Sequence, residues 1–302
     1  MTDDAETRCG FIAILGAPNV GKSTLLNRVV GTKVSIVSPK VQTTRTRVLG
    51  IALDGDAQLI FIDTPGIFQP KRRLDRAMVA AAWGGAGDAD HVVLLVDSQR
   101  GITPDTQSII DKLKNQEGRK VDLALNKVDL VNKESLLTLT EKLNEYGIFQ
   151  EIFMISAEKG DGVDDLVAYL KSKMPVSPWL FPEDQISDMP LRLLAAEITR
   201  EKLYLKLHQE LPYATTVETE SWEEKDDGSV RIEQTIYVER ESQRSIVLGK
   251  GGKMIKSIGA ESRRDLAEIA DRAVHLFLFV KVREKWGDDP SRYTHWGLDY
   301  NA

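Results

Sequence analysis

Apolar and polar residues change their spacing along the chain in a way that divides it into two parts. The first part carries five short, continuous apolar runs at 11–15, 59–62, 92–96, 121–125 and 152–155. Uninterrupted runs of this length fit strands buried on both faces of a parallel sheet. Helical stretches between them predict right-handed βαβ crossovers, with ligands bound at the carboxyl ends of the strands. The part ends in a helix, because Val163, Leu166, Val167 and Leu170 fall at i, i+3, i+4 and i+7 on one face. Pro175, Pro178, Pro182 and Pro190 then crowd together, with Ser177, Glu183 and Asp184 among them, and read as an extended linker.

Beyond the linker the pattern differs. Residues 190–210 have helical spacing and 214–221 read as a strand. Asp226-Asp227-Gly228 signals a hairpin turn, after which Val230, Ile232, Ile236 and Val238 alternate as in a half-buried strand. Helical segments at 242–248 and 253–270 flank a glycine-rich turn, and Leu276, Leu278, Val280 and Val282 alternate as a last strand. The expected architecture is an α/β domain over 1–175, with a mostly parallel sheet covered by helices on both faces. A linker follows at 176–190, and then an α+β domain over 191–302 in the order α-β-β-α-α-β.

Composition narrows the function. The 302 residues include 42% hydrophobic and 28% charged types, which leaves ample apolar content for two cores. Lys and Arg number 40 against 46 Asp and Glu, so the net charge is −6 and any nucleic-acid site must be local. A single cysteine, Cys9, excludes an internal disulfide and a Cys-based zinc site. His91, His208, His275 and His295 are not at ligand spacing, so no His-rich metal site is expected. No apolar run approaches the roughly 18 residues of a membrane span. The acidic start, Met-Thr-Asp-Asp-Ala-Glu, lacks the apolar core of a signal peptide. A soluble, intracellular protein is expected.

Four motifs follow the predicted strands. After the first comes Gly16-Ala17-Pro18-Asn19-Val20-Gly21-Lys22-Ser23, which is G-x-x-x-x-G-K-S. The glycines let the loop wrap phosphates with its N–H groups inward. Lys22 reaches the outer phosphates, and Ser23 offers a hydroxyl to Mg²⁺. Thr24 and the leucines after it open a helix whose N-terminus adds partial positive charge, and Gly31 suits its C-cap. After the second strand, Asp63-Thr64-Pro65-Gly66 sets a carboxylate for Mg²⁺ and the Gly66 N–H for a γ-phosphate. After the fourth, Asn126-Lys127-Val128-Asp129 lets Asp129 accept two N–H bonds from guanine. Adenine has no such donor pair, and the buried carboxylate left unpaired costs several kcal/mol. The Lys127 stem would lie along the base and Asn126 would brace the loop. After the fifth, Ser156-Ala157-Glu158 sets the Ala157 N–H for guanine O6. The last three motifs mean little alone; order and placement make them informative.

Together they resemble the P-loop GTPases. Asn19 and Gln42-Thr43-Thr44-Arg45 narrow the resemblance to the TrmE–Era–EngA group. That resemblance implies a moving loop in which a Thr reaches Mg²⁺ and the γ-phosphate; both Thr43 and Thr44 qualify. Ras-like proteins place a Gln after D-x-x-G to orient the attacking water, whereas this chain has Ile67, which cannot hold a water. The resemblance further implies that Asn19 ligates K⁺ in place of an arginine finger, and that unassisted hydrolysis is slow.

The second part holds Gly249-Lys250-Gly251-Gly252, a G-x-x-G loop between two helices, followed by Lys253 and Lys256. Small residues let an RNA backbone approach, lysines neutralise phosphate, and single-stranded bases splay across the neighbouring surface. Between positions 240 and 264 seven positive residues face two glutamates, a net +5 in an acidic chain. A plain solvated face would intersperse the signs. The element order resembles a type II KH domain. The acidic hairpin at 223–227 reads as a solvated tip.

A GTPase of this group joined to a C-terminal KH domain resembles the Era family. Supporting stretches are Gly10-Phe11-Ile12-Ala13-Ile14, Phe181-Pro182-Glu183-Asp184, Glu210-Leu211-Pro212-Tyr213 and Val274-His275-Leu276. The resemblance implies GTP/GDP and Mg²⁺ as ligands and 16S rRNA near its 3′ end as partner. It also implies a role in small (30S) ribosomal subunit assembly, and a monomer in the cytoplasm with weak peripheral contact at the inner membrane face. Rival readings are an ATP-using P-loop enzyme, an RNA-binding protein with a passive nucleotide site, and a GTPase acting on a protein partner. Asp129 argues against the first.

Overall fold

The computed structural model describes residues 6–40, 43–116 and 121–302; Gln42 and most of the acidic N-terminal stretch lie outside them. The chain forms two compact units. One comprises the chain up to Ser35, Thr44–Asp188 and Tyr293–Ala302, the other Ile36–Thr43 and Met189–Arg292.

In the first unit, β1 (Arg8–Leu15), α1 (Lys22–Val30), β2 (Val48–Asp54), β3 (Ala57–Asp63), α2 (Arg73–Gly87) and β4 (His91–Asp97) are followed by α3 (Pro104–Lys114), β5 (Val121–Asn126), α4 (Lys133–Asn144), β6 (Phe149–Met154) and α5 (Val163–Lys173). The strands order as β2-β3-β1-β4-β5-β6. All neighbours run parallel except β2, which is antiparallel to β3. Leu94, Val96, Leu123 and Leu125 of the central strands bury against Ile109, Ile110 and Leu113 of α3. Each fully buried side chain of this size contributes about 1.5–3 kcal/mol.

Two expectations need correction. β2 is not among the five runs; within Val48–Leu53 only Gly50 interrupts the apolar sequence. Gly50 has to be small there, since a Cβ would stand 2.3 Å from Leu26 Cδ1. β6 is a half-exposed edge strand rather than one buried on both faces; the buried Ile155 lies just past its end.

The proline-rich stretch is ordered along β2 and β3. The buried Gln58 accepts from the N–H groups of Leu180 (2.9 Å) and Phe181 (3.0 Å) and donates to the Phe181 carbonyl (2.8 Å). Ile51 N–H donates to Ile186 O and Leu49 N–H to the Asp188 carboxylate, both at 2.9 Å. The packing therefore keeps residues through Asp188 in the first unit and draws Tyr293–Ala302 into it, unlike the division expected at 176–190 and 191–302.

The second unit contains α6 (Leu191–Lys206), β7 (Thr215–Glu224), β8 (Val230–Val238), α7 (Glu241–Leu248), α8 (Lys253–Ala270) and β9 (Val274–Val282), in the expected order. β7 and β8 are antiparallel, and β9 joins β8 in parallel. Leu203 of α6, Val247 of α7 and Ile258 of α8 pack on Ile236 and Val238. On β9 the buried positions are Val274 and Val280; Val282, the last member of the alternating set, is exposed at the strand end. No helix among the described residues is long and apolar enough to cross a membrane.

Candidate functional site

The phosphate loop joins β1 to α1. Gly21 caps α1 at φ 102°, where an L side chain is strained, and a Cβ there would sit 2.2 Å from the Asn126 amide nitrogen. Gly31 ends the helix in the left-handed region, its N–H donating to Asn27 O at 3.0 Å. Lys22 is buried and turned back into the loop, where its ammonium donates to the carbonyls of Gly16 (3.1 Å) and Ala17 (3.0 Å). Burial pushes its pKa down to about 8, against the attraction of Asp63. Asn19 adopts φ 65°, and its carbonyl accepts from Lys127 Nζ at 2.8 Å.

Three hydroxyls converge on the buried Asp63. Its Oδ2 accepts from Ser23 (2.7 Å) and Ser35 (2.9 Å), with Thr44 Oγ1 at 3.5 Å and the Ser23 and Thr44 hydroxyls 3.0 Å apart. Burial pushes its carboxyl upward against the pull of Lys22 and these hydroxyls. Its Oδ1 is buried with no hydrogen-bond partner among the described residues. An orphaned carboxylate oxygen beside two hydroxyls suits a small, hard cation that takes oxygen ligands. Thr43 is turned elsewhere: its hydroxyl bonds Ser38 Oγ (2.6 Å) and donates to Lys40 O (2.7 Å).

Beyond Asp63, the Thr64 hydroxyl donates to Ile14 O at 2.9 Å. Pro65 leads to Gly66, where a Cβ would lie 2.9 Å from Pro18 Cα, so only glycine fits this close against the phosphate loop. Ile67 is buried in the core and its N–H donates to Gly16 O at 3.1 Å. Its side chain packs in the core cluster that includes Ala82 and Ala86 of α2.

The residues expected to recognise the base meet at the ends of β5 and β6. Asn126 donates to Val20 O (2.7 Å) and accepts from the Ala157 N–H (2.9 Å), tying the phosphate loop to the 156–158 loop. The donor expected for guanine O6 is thus shared with Asn126. Asp129 stands 3.5 Å from Lys159; a hydrogen bond from the Ser156 hydroxyl, with Lys159 beside it, holds its carboxyl below the usual range.

Two supports escape sequence reasoning. Asp97, at the end of β4, accepts from Lys127 Nζ at 2.6 Å and, through its other oxygen, from the N–H groups of Gln99 and Arg100. Arg28, in the last turn of α1, donates to the carbonyls of Ala157 (3.2 Å) and Glu158.

In the second unit, Gly249, Gly251 and Gly252 all have positive φ, at 69°, 62° and 74°. A Cβ at Gly249 would press on Met254 at 2.7 Å, whereas Gly251 and Gly252 face open space. Lys250, Lys253 and Lys256 are exposed and form no ion pair among the described residues; the same holds for Arg240, Arg263 and Arg264. Of the acids of the 223–227 hairpin, Glu223 pairs with Lys225, Glu224 pairs with Arg272, and Asp227 accepts from the Ser229 N–H and hydroxyl.

Segment Ile36–Thr43 belongs to this second unit. Ile36 packs with Leu194, Ala195 and Ile198 of α6. Val37 N–H donates to Glu201 at 2.8 Å, Lys40 Nζ to the Tyr204 and Leu207 carbonyls, and Arg200 to the Thr43 carbonyl.

A G-x-x-x-x-G-K-S loop brought beside the Asn126-Lys127-Val128-Asp129 motif, followed by a three-stranded module with a G-x-x-G loop, defines a P-loop GTPase carrying a KH domain. Family models agree: residues 11–127 match "50S ribosome-binding GTPase" and residues 210–287 match "KH domain". The chain is 62% identical to GTPase Era of Sinorhizobium medicae (strain WSM419) over 97% of its own length and 94% of that protein's. It is 59% identical to GTPase Era of Brucella suis biovar 1 (strain 1330), covering 99% and 96%. Among solved structures it resembles Era in complex with MgGDPNP and nucleotides 1506–1542 of 16S ribosomal RNA, with a TM-score of 0.92, 39% identity, and 96% and 99% of the two chains covered. A variant of Aquifex aeolicus Era bound to GDP and AlF4⁻ matches with a TM-score of 0.91 at the same identity and coverage. The chain belongs to the Era family and is a GTPase.

Proposed function

We propose that this GTPase is a switch that binds 16S rRNA near its 3′ end through the 249–252 loop and assists assembly of the small ribosomal subunit, acting as a monomer. The observation that carries the RNA reading is the unpaired basic set around open glycines in a chain of net charge −6. The RNA in the solved relative supports the choice of partner.

In this reading residues 16–24 hold the phosphates, and Lys22 leaves the Gly16 and Ala17 carbonyls for the β- and γ-phosphates. Ser23, Thr44 and Asp63 would hold Mg²⁺, which would supply positive charge against the negative charge developing on the phosphate oxygens. The Asp63 Oδ1 without a protein partner and the Ser23–Thr44 contact favour this assignment, and Thr44 over Thr43. Asn126, Lys127, Asp129, Ser156 and Ala157 select guanine. With Ile67 in the core, the attacking water is oriented by backbone or by a group from outside the site, and Asn19 is the candidate ligand of a K⁺ ion. Equal GTPase rates in KCl and NaCl at matched ionic strength would remove K⁺.

The deciding experiment measures affinity for an RNA ending like the small-subunit rRNA 3′ end, against a scrambled control, with a non-hydrolysable GTP analogue and with GDP. We expect sequence-dependent binding, tighter with the analogue and at least about tenfold weaker in Gly251→Asp. Removing one of Lys250, Lys253 or Lys256 should lower the salt-dependence slope by about 0.7. Equal affinity for the scrambled RNA would sink the reading.

A further inference from the structure

The last ten residues, Tyr293–Ala302, pack in the first unit as an aromatic cluster. The Tyr293 ring lies 6.1 Å from Trp296 and 5.0 Å from Tyr300, the latter edge-on at 88°. Tyr293, Trp296 and Leu298 are buried. Two arginines meet this cluster. Arg45 is only 1% exposed, and its guanidinium stands 6.0 Å from the Trp296 ring centroid. Arg73 places its guanidinium 4.3 Å from the Tyr300 ring and donates from Nη1 to the Tyr300 carbonyl at 3.3 Å.

These arginines occupy particular places. Arg45 directly follows Thr44, whose hydroxyl meets Ser23 beside Asp63. Arg73 is the first residue of α2, the helix entered from the segment that begins at Asp63 and Gly66. The tail therefore grips the chain just beyond each of the two segments that would answer to a γ-phosphate. A buried guanidinium packed against a ring anchors its own backbone, and the planar peptide that joins it to Thr44 restricts the Thr44 carbonyl and the position from which the Thr44 side chain departs.

We infer that Tyr293–Ala302 is a tether that sets Thr44 and the 63–70 segment for GTP, with Trp296 and Tyr300 as positioning residues acting through Arg45 and Arg73. The inference rests on the reading of Thr44 as the residue that senses Mg²⁺ and the γ-phosphate. GDP has no γ-phosphate, so a loosened tether should cost GTP affinity and hydrolysis while sparing GDP.

The test compares Kd for GDP and for a non-hydrolysable GTP analogue, with GTPase kcat, in the full chain carrying Trp296→Leu, Tyr300→Leu, Trp296→Phe, Tyr300→Phe, Arg73→Gln or Thr44→Ala. The leucine variants should lose preference for the analogue by about two- to thirtyfold, the span of one cation–π contact from exposed to desolvated, and lose kcat in parallel. GDP affinity should stay within about twofold. The phenylalanine variants keep a ring and should keep the preference. Arg73→Gln should match Tyr300→Leu, and the two together should cost no more than either alone. Tyr300 is only half-buried, so its variants report even if Trp296→Leu fails to fold. If Thr44→Ala loses the preference and the tail variants do not, the tether is wrong and the reading of Thr44 stands. If Thr44→Ala leaves the preference unchanged, both fall. A joint loss of GDP and analogue affinity with a lower Tm makes the tail mere scaffold and overturns the inference.

Discussion

Asp97→Asn isolates a support of the nucleotide site that touches no expected ligand atom. Asp97 is 3% exposed, Lys127 is 29% exposed, and the contact between them is 2.6 Å. Lys127 also donates to Asn19 O at 2.8 Å, so one ammonium links the end of β4 to the phosphate loop while its stem flanks the base position. The amide can retain the oxygen that accepts from Gln99 and Arg100. The atom facing Lys127 then becomes an NH₂, donor against donor. A charge-assisted hydrogen bond is worth about 1.5–3 kcal/mol; solvent at Lys127 reduces this to about 1–2 kcal/mol. If that bond holds the loop in its binding form, GTP and GDP should both weaken by roughly 5–30-fold, at 1.4 kcal/mol per tenfold. Turnover of bound GTP should stay near that of the unmodified chain, because the brace serves base and loop rather than the γ-phosphate. Fluorescent-nucleotide titration gives both affinities, and a single-turnover assay gives the rate. GDP affinity within twofold of the starting protein would show that the brace carries no binding energy. A loss confined to GTP would place its action at the γ-phosphate and refute the argument.

Gly21→Ala should destabilise the nucleotide-free protein by about 3–5 kcal/mol, combining backbone strain at φ 102° with displacement of the Asn126 amide from its two partners. Urea unfolding measures it, and a cost under about 1 kcal/mol would mean that the loop relaxes freely. Lys22 supplies a pH signature. Its folded pKa of about 8 lies below the ordinary 10.5, so between those values the folded chain binds fewer protons than the unfolded one. Stability of the nucleotide-free protein relative to Lys22→Met should therefore rise with pH across that window, by at most about 3 kcal/mol. Nucleotide affinity should fall over the same window, since the phosphates need the ammonium. Calorimetry in two buffers of different ionisation enthalpy should detect proton uptake on GTP binding at pH 8.5; none would refute the assignment of the depressed amine.

What could be read in the sequence was local. The phosphate loop, Asp63-Thr64-Pro65-Gly66, Asn126-Lys127-Val128-Asp129 and the 249–252 loop are runs of adjacent residues whose backbone conformation and chemistry travel together. What could not be read depends on pairs far apart in the chain. Thr43 and Thr44 are indistinguishable as letters; only the fold turns one hydroxyl to Lys40 and the other to Ser23. Asp97 reads as a turn acid after a strand until Lys127 is brought beside it. Arg28 reads as a charge suited to the end of a helix. The proline-rich stretch has a linker's composition, and one buried glutamine, Gln58, converts it into an ordered strap. The aromatic tail is too short for its periodicity to show which unit it covers.

The nucleotide site itself is locally consistent but electrostatically unfinished. Lys22 and Asp63 are both buried, one depressed and the other raised, each shift in the direction that disfavours its charged form. Their mutual attraction offsets part of that cost, and the remaining contacts are substitutes. Two carbonyls receive the ammonium where phosphate oxygens would, and hydroxyls crowd one carboxylate oxygen while the other has no hydrogen-bond partner among the described residues. A polyphosphate with a divalent cation supplies both missing charges at once, so their binding should be strongly coupled. Mg²⁺ without nucleotide satisfies Asp63 but adds positive charge near Lys22, and nucleotide without Mg²⁺ does the reverse at Asp63. Each alone should therefore bind much more weakly than the pair. Under the proposed assignment this coupling would let one γ-phosphate control the segments on both sides of the site: its removal would take away one of the two anionic partners of Lys22 and a ligand of the cation that Asp63 and Thr44 would share.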